Sequence, residues 1–85
     1  MKIIIYVDFS NEKFNKDFAL SGRLTGAGHT VLLVTNDRQL ADSMGTYDMV
    51  LRGFSCKKDL SSLDKSTYIL NNDEDLVSLD DILKG

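Results

Sequence analysis

Two apolar runs joined by one amphipathic link constrain this chain most. The first is Lys2-Ile3-Ile4-Ile5-Tyr6-Val7-Asp8-Phe9. The second, Thr30-Val31-Leu32-Leu33-Val34-Thr35, follows a Gly28-His29 turn and closes on Asn36-Asp37. Both are apolar almost throughout instead of alternating, the pattern of strands covered on both faces in a parallel sheet. Roughly 20 residues separate them, and a parallel crossover needs a dozen or more, so residues 2–37 read as one right-handed βαβ unit.

In chain order, the first strand is expected over 2–8 and the first helix over about 12–25. Phe14, Phe18 and Leu24, with Ala19 and Leu20, give that helix an apolar stripe at helical spacing. Ser10 or Asn11 can cap it, and Gly22 within it points to close packing against the sheet. Asn36, with Gln39 three residues on, reads as a capping box opening a second helix that stops near Gly45. A third strand is expected at 48–52, then a loop or short helix carrying Leu60 and Leu63, then a fourth strand at 67–70. Asn72 caps a last helix over 73–83, with Leu76, Leu79 and Leu83 (and Val77 and Ile82) facing inward. The pattern βαβαβ(α)βα predicts a single Rossmann-like α/β domain over residues 1–85. It is a small three-layer sandwich around a four-stranded parallel sheet in the order 3-2-1-4.

Composition narrows the function classes. The net charge is −3, with acid concentrated at the C-terminal end, so the footprint for tight non-specific nucleic-acid binding is lacking. Arg52, Lys57 and Lys58 form one local basic cluster, read as a solvated rim. The single cysteine, Cys56, excludes an internal disulfide and, with one histidine, any standard zinc set. Lys57 and Lys58 beside it could lower the pKa of its thiol. The apolar runs are too short to span a bilayer, and the first breaks at Asp8 without a small-residue cleavage site. The expectation is a cytoplasmic protein without a membrane partner.

In open α/β sheets ligands bind outside the carboxyl ends of the strands, where strand order reverses. Three polar loops are expected there: Asp8-Phe9-Ser10-Asn11, Thr35-Asn36-Asp37 and Asn71-Asn72-Asp73. Asp8, Ser10, Asn11, Asn36, Asp37, Asn72 and Asp73 are therefore the candidate ligand-binding residues. In the order 3-2-1-4, Asp8, Asp37 and Asp73 could share one Mg²⁺ or Mn²⁺, which could hold a phosphate. The other reading of the same residues is that they cap helices. No catalytic set is complete.

Two resemblances follow from these residues. Met1-Lys2-Ile3-Ile4-Ile5 and the stretch from Leu20-Ser21-Gly22-Arg23-Leu24-Thr25-Gly26-Ala27-Gly28-His29 into Thr30–Thr35 resemble the opening of a two-Rossmann-domain (GT-B) glycosyltransferase, over residues 1–52. That resemblance implies a Rossmann-like fold and a sugar-transfer context. Phe9-Ser10-Asn11 stands where a Gly-rich loop would follow the first strand, so dinucleotide binding is not expected. Ile5-Tyr6-Val7-Asp8-Phe9-Ser10-Asn11 and Val34-Thr35-Asn36-Asp37-Arg38-Gln39-Leu40 are similar to two pieces of PIN/NYN-type metal-dependent nucleases. That resemblance implies Asp8 and Asp37 as metal ligands.

From the sequence, then, the expected role is that of a small stand-alone, non-catalytic module that binds another protein as a regulator, adaptor or inhibitor, with no cofactor. The alternative is an enzyme or enzyme fragment binding Mg²⁺ and a phosphorylated ligand at the ends of strands one, two and four.

Overall fold

The computed structural model describes residues 1–63 and 65–84. The elements run β1 (Lys2–Tyr6), α1 (Phe14–Gly26), β2 (Thr30–Val34), α2 (Asp37–Met44), β3 (Met49–Arg52), β4 (Thr67–Ile69) and α3 (Asp73–Lys84). The strands make one four-stranded sheet with every pairing parallel. Ile3 lies opposite Val31 on one side and Met49 on the other. The α/β class is as expected.

The strand order is not. It is β2-β1-β3-β4 instead of 3-2-1-4, so β1 is flanked by β2 and β3, and β4 lies at the far edge. Burial gives the physical reason. Ile3, Ile4 and Ile5 are wholly buried, as are Val50 and Leu51 of β3, so these two strands need neighbours on both sides. The 67–69 run keeps Ile69 exposed and suits an edge. A reciprocal pair of bonds also ties the start of β3 to β1: the Asp48 amide donates to the Lys2 carbonyl, and the Lys2 amide to Asp48 Oδ2.

Strand side chains alternate between two apolar layers. Ile3, Ile5, Val7, Met49 and Leu51 pack with Leu20 and Leu24 of α1 and Leu79 of α3. Ile4, Tyr6, Val34 and Val50 pack with Leu40 of α2 and with Cys56 and Leu60 of the segment after β3. Helices α1 and α3 therefore share one face, joined at its surface by the Arg23–Asp80 and Lys16–Asp73 ion pairs. The segment after β3 covers the other face beside α2 as loop, without a helix among its described residues.

The phase of α1 corrects the sequence expectation. Its buried residues are Asp17, Leu20 and Leu24, and Phe18 is 62% exposed. Gly22 faces open space, where a Cβ would meet nothing within 4 Å. The close approach belongs to Gly53, whose added Cβ would lie 2.5 Å from Asp17 Oδ2. On α3, Leu79 faces inward with Leu76 and Leu83 partly buried, but Val77 and Ile82 point outward. Two helix starts match their sequence signals. Asn36 Oδ1 accepts from the Gln39 amide at 2.9 Å, while Gln39 Oε1 accepts from the Thr35 amide. Asn72 Oδ1 accepts from the Glu74 amide, and Asp75 Oδ2 returns a bond to the Asn72 amide. Helix α1 has no side-chain cap; Lys13 holds that position, and Asn11 Oδ1 accepts from its amide.

Candidate functional site

Because β2 lies on one side of β1 and β3 on the other, strand order reverses between β1 and β3, and the crevice that favours ligands falls at their carboxyl ends. A cleft of about 460 Å³ opens there. Its walls are Asp8–Ser10 after β1, Thr35 after β2 and Cys56–Lys58 after β3, above Tyr6 and Val7.

The polar groups around the cleft are largely committed to one another. Asp8 Oδ1 accepts from the Ser10 hydroxyl at 2.6 Å and the Ser10 amide at 3.0 Å, which holds its carboxyl below the usual range. Asp37 accepts from the Lys58 ammonium and, at 2.9 Å, from the Tyr6 hydroxyl; both lower its pKa, the lysine more. Burial, and then the bond to Asp37, push the Tyr6 phenol up to about 12. Arg52 donates through Nη1 to the Lys58 carbonyl and through Nη2 to Asn71 Oδ1, while its Nε is buried without a partner among the described residues. Of the basic cluster, Lys58 alone makes an ion pair among the described residues, with Asp37.

Cys56 is buried, and burial raises its pKa, the reverse of the lowering its lysine neighbours could have given. The ammonium of Lys58 reaches Asp37 instead.

The remaining candidates are spread apart. Asn36 and Asn72 act as helix caps, and Asp73 pairs with Lys16 on the surface between α1 and α3. Among the described residues, no group of three or more His, Cys, Asp or Glu side chains is placed to hold a metal ion. Asp8, Asp37 and Asp73 therefore do not form the trio that the expected strand order implied, because β4 leads into Asp73 from the far edge.

A buried carboxylate braces the cleft floor. Asp17 is fully buried; its Oδ1 accepts from the Phe54 amide at 2.7 Å, and its Oδ2 from the amide and hydroxyl of Ser55. Ser55 Oγ in turn accepts from the Asp8 amide at 2.9 Å. One chain of hydrogen bonds thus ties α1 to both loops at the switch point. The available signal was the i, i+3, i+7 spacing of Asp17, Leu20 and Leu24, a stripe that a search for apolar residues passes over.

Starting from Phe9 on the cleft wall, Phe9, Phe14 and Phe18 form an aromatic ridge. Phe14 is half-buried and meets Phe9 edge-on at 4.6 Å between ring centroids and Phe18 at 6.1 Å. Phe9 and Phe18 are 61% and 62% exposed. No protein-family model matches the chain, and no curated protein and no solved structure does.

Proposed function

We propose that this chain is a non-catalytic α/β module that acts by binding another protein, as a regulator, adaptor or inhibitor. The observation that carries the reading is the ridge of Phe9, Phe14 and Phe18. A phenyl ring left in water forgoes about 1.5–3 kcal/mol of burial, a cost without return unless a partner covers it. Anchored through Phe14, the two outer rings lose little freedom on binding, and buried aromatic anchors carry most of the energy of protein interfaces. The cleft supports the same reading from the other direction. Its carboxylate Asp8 is bonded to Ser10, and its Tyr6 and Lys58 are both bonded to Asp37, which leaves no paired nucleophile and base among the described residues.

The test takes a partner isolated with the parent chain and titrates it against Phe9→Ser and Phe18→Ser. Each variant should bind about tenfold more weakly or worse, with its own unfolding unchanged. Equal affinity for the parent and both variants would remove the ridge as the binding surface.

The position of the cleft favours a second reading, in which Asp8 and Asp37 hold Mg²⁺ or Mn²⁺ with a phosphorylated ligand, as a GT-B-like or PIN-like context would imply. Thermal melts with and without millimolar Mn²⁺ separate the two. Under the binding reading the parent shows no shift, and Asp8→Asn is close to neutral. A rise in Tm for the parent that disappears in Asp8→Asn would favour the second reading, since only a ligand of the native state stabilises by mass action.

A further inference from the structure

β2 has the composition of an interior strand and the position of an edge. Thr30-Val31-Leu32-Leu33-Val34 is apolar on both faces and carries neither charge nor proline, yet it is the outermost strand of its side of the sheet. Soluble proteins blunt an open edge with charge, proline or a bulge, and β2 has none of the first two. Val31, Leu32 and Leu33 remain only partly buried.

Its open backbone groups can be located. The Thr30 amide donates to the Met1 carbonyl, and the Val34 carbonyl accepts from the Val7 amide. Backbone groups alternate sides along a strand, so Thr30, Leu32 and Val34 serve the ladder to β1, while the N–H and C=O of Val31 and Leu33 point outward. The next outward amides are already bonded: Thr35 donates to Gln39 Oε1, and His29 to the Leu24 carbonyl. Among the described residues, Val31 and Leu33 therefore present the free edge.

We infer that β2 pairs antiparallel with β2 of a second copy of this chain, across a two-fold axis at Leu32. In that register Val31 lies opposite Leu33 of the second copy, and each outward donor meets an outward acceptor. Sliding the pairing to centre on Val31 or Leu33 would bring in His29 or Thr35, whose amides are already committed. Leu32 meets its own counterpart at the axis, and both apolar layers continue across the joint. An incoming strand must be apolar on both faces, which is the property β2 itself has. No repulsion opposes the pairing, because His29 is the only titratable residue between 29 and 35. The result is one continuous eight-stranded sheet, and it rests on the strand edge alone, not on the aromatic ridge.

Sedimentation equilibrium of the full chain tests the pairing, with the parent expected to be dimeric at micromolar concentration. Leu33→Pro deletes an outward N–H without touching the β1 ladder, a placement edge strands tolerate, and should weaken the dimer at least about tenfold. It should leave binding at the ridge unchanged. A cross-linking pair decides the matter if that variant fails to fold. Directly opposed residues of the non-hydrogen-bonded kind have Cα atoms about 4.5 Å apart, within disulfide reach, so Leu32→Cys should form a covalent dimer on mild oxidation. Thr30→Cys should not, because the two-fold sets its copies about 13 Å apart along the strands. A parent that stays monomeric throughout the micromolar range overturns the proposal, whether or not an unlike peptide adds to this edge. So does cross-linking of Thr30→Cys as fast as Leu32→Cys.

Discussion

Removing the Asp17 carboxylate would leave the Phe54 amide and both donors of Ser55 without an acceptor, in a place fully closed to solvent. Asp17→Ala should therefore cost about 3 kcal/mol or more, since bonds to a charged group and unpaired buried donors are each worth about 1–3 kcal/mol. Phe18→Ala, at an exposed position, should stay within about 0.5 kcal/mol of the parent. Urea unfolding of the two variants checks the ranking, and the reverse order would return α1 to the phase its phenylalanines suggest. The sequence hides this residue for a physical reason: a buried acid is tolerable only with its partners, and those lie 37 and 38 positions away, beyond any local pattern. Tyr6 gives a prediction in pH. Its pKa is raised from 10.0 to about 12 on folding, so the stability it contributes is fully present below about 10 and is lost as pH rises toward 12. Tyr6→Phe should lose stability at neutral pH and show a smaller decline across that alkaline window. Identical alkaline slopes for parent and variant would contradict the Tyr6–Asp37 bond.

The starts of α2 and α3 were legible because capping is chemistry between residues three apart. Asn36 with Gln39 forms the bond that its spacing announces, and Asn72 caps α3 as expected, with a return bond from its amide to Asp75 that the structure adds. Asn36→Ala and Asn72→Ala should each cost about 1 kcal/mol, with faster hydrogen exchange confined to the first turn of the helix affected. Uniform exchange changes across the sheet would contradict a local cap. The strands were legible as well, since their apolar runs are continuous. Their order was not, because the crossover length fixes only that β1 and β2 are parallel, and the side of β1 on which β3 lands depends on burial formed by the whole sheet. The metal trio depended on that order and went with it. Neither Ser10 nor Asn11, the two residues that could cap α1, holds its N-cap position: Ser10 is bonded to Asp8, and Asn11 accepts from the Lys13 amide ahead of the helix.

A chain of this size buries only roughly 60–65% of its extended surface, which favours an open cleft over an enclosed pocket. At the scale of the molecule, polar residues of the cleft bond to one another while Phe9, on its wall, and Phe18 stand mostly exposed to solvent. That division is the basis for reading the chain as a binding module, and it is visible only in the structure, because Phe14 and Phe18 look like core residues in sequence. Site-specific photocross-linking tests it most directly, with a photoreactive residue placed at Phe18 on the ridge or at Lys57 in the cleft. The account predicts a covalent adduct with another protein from position 18 and none from position 57. A protein adduct formed only from position 57, or from neither position, would contradict it.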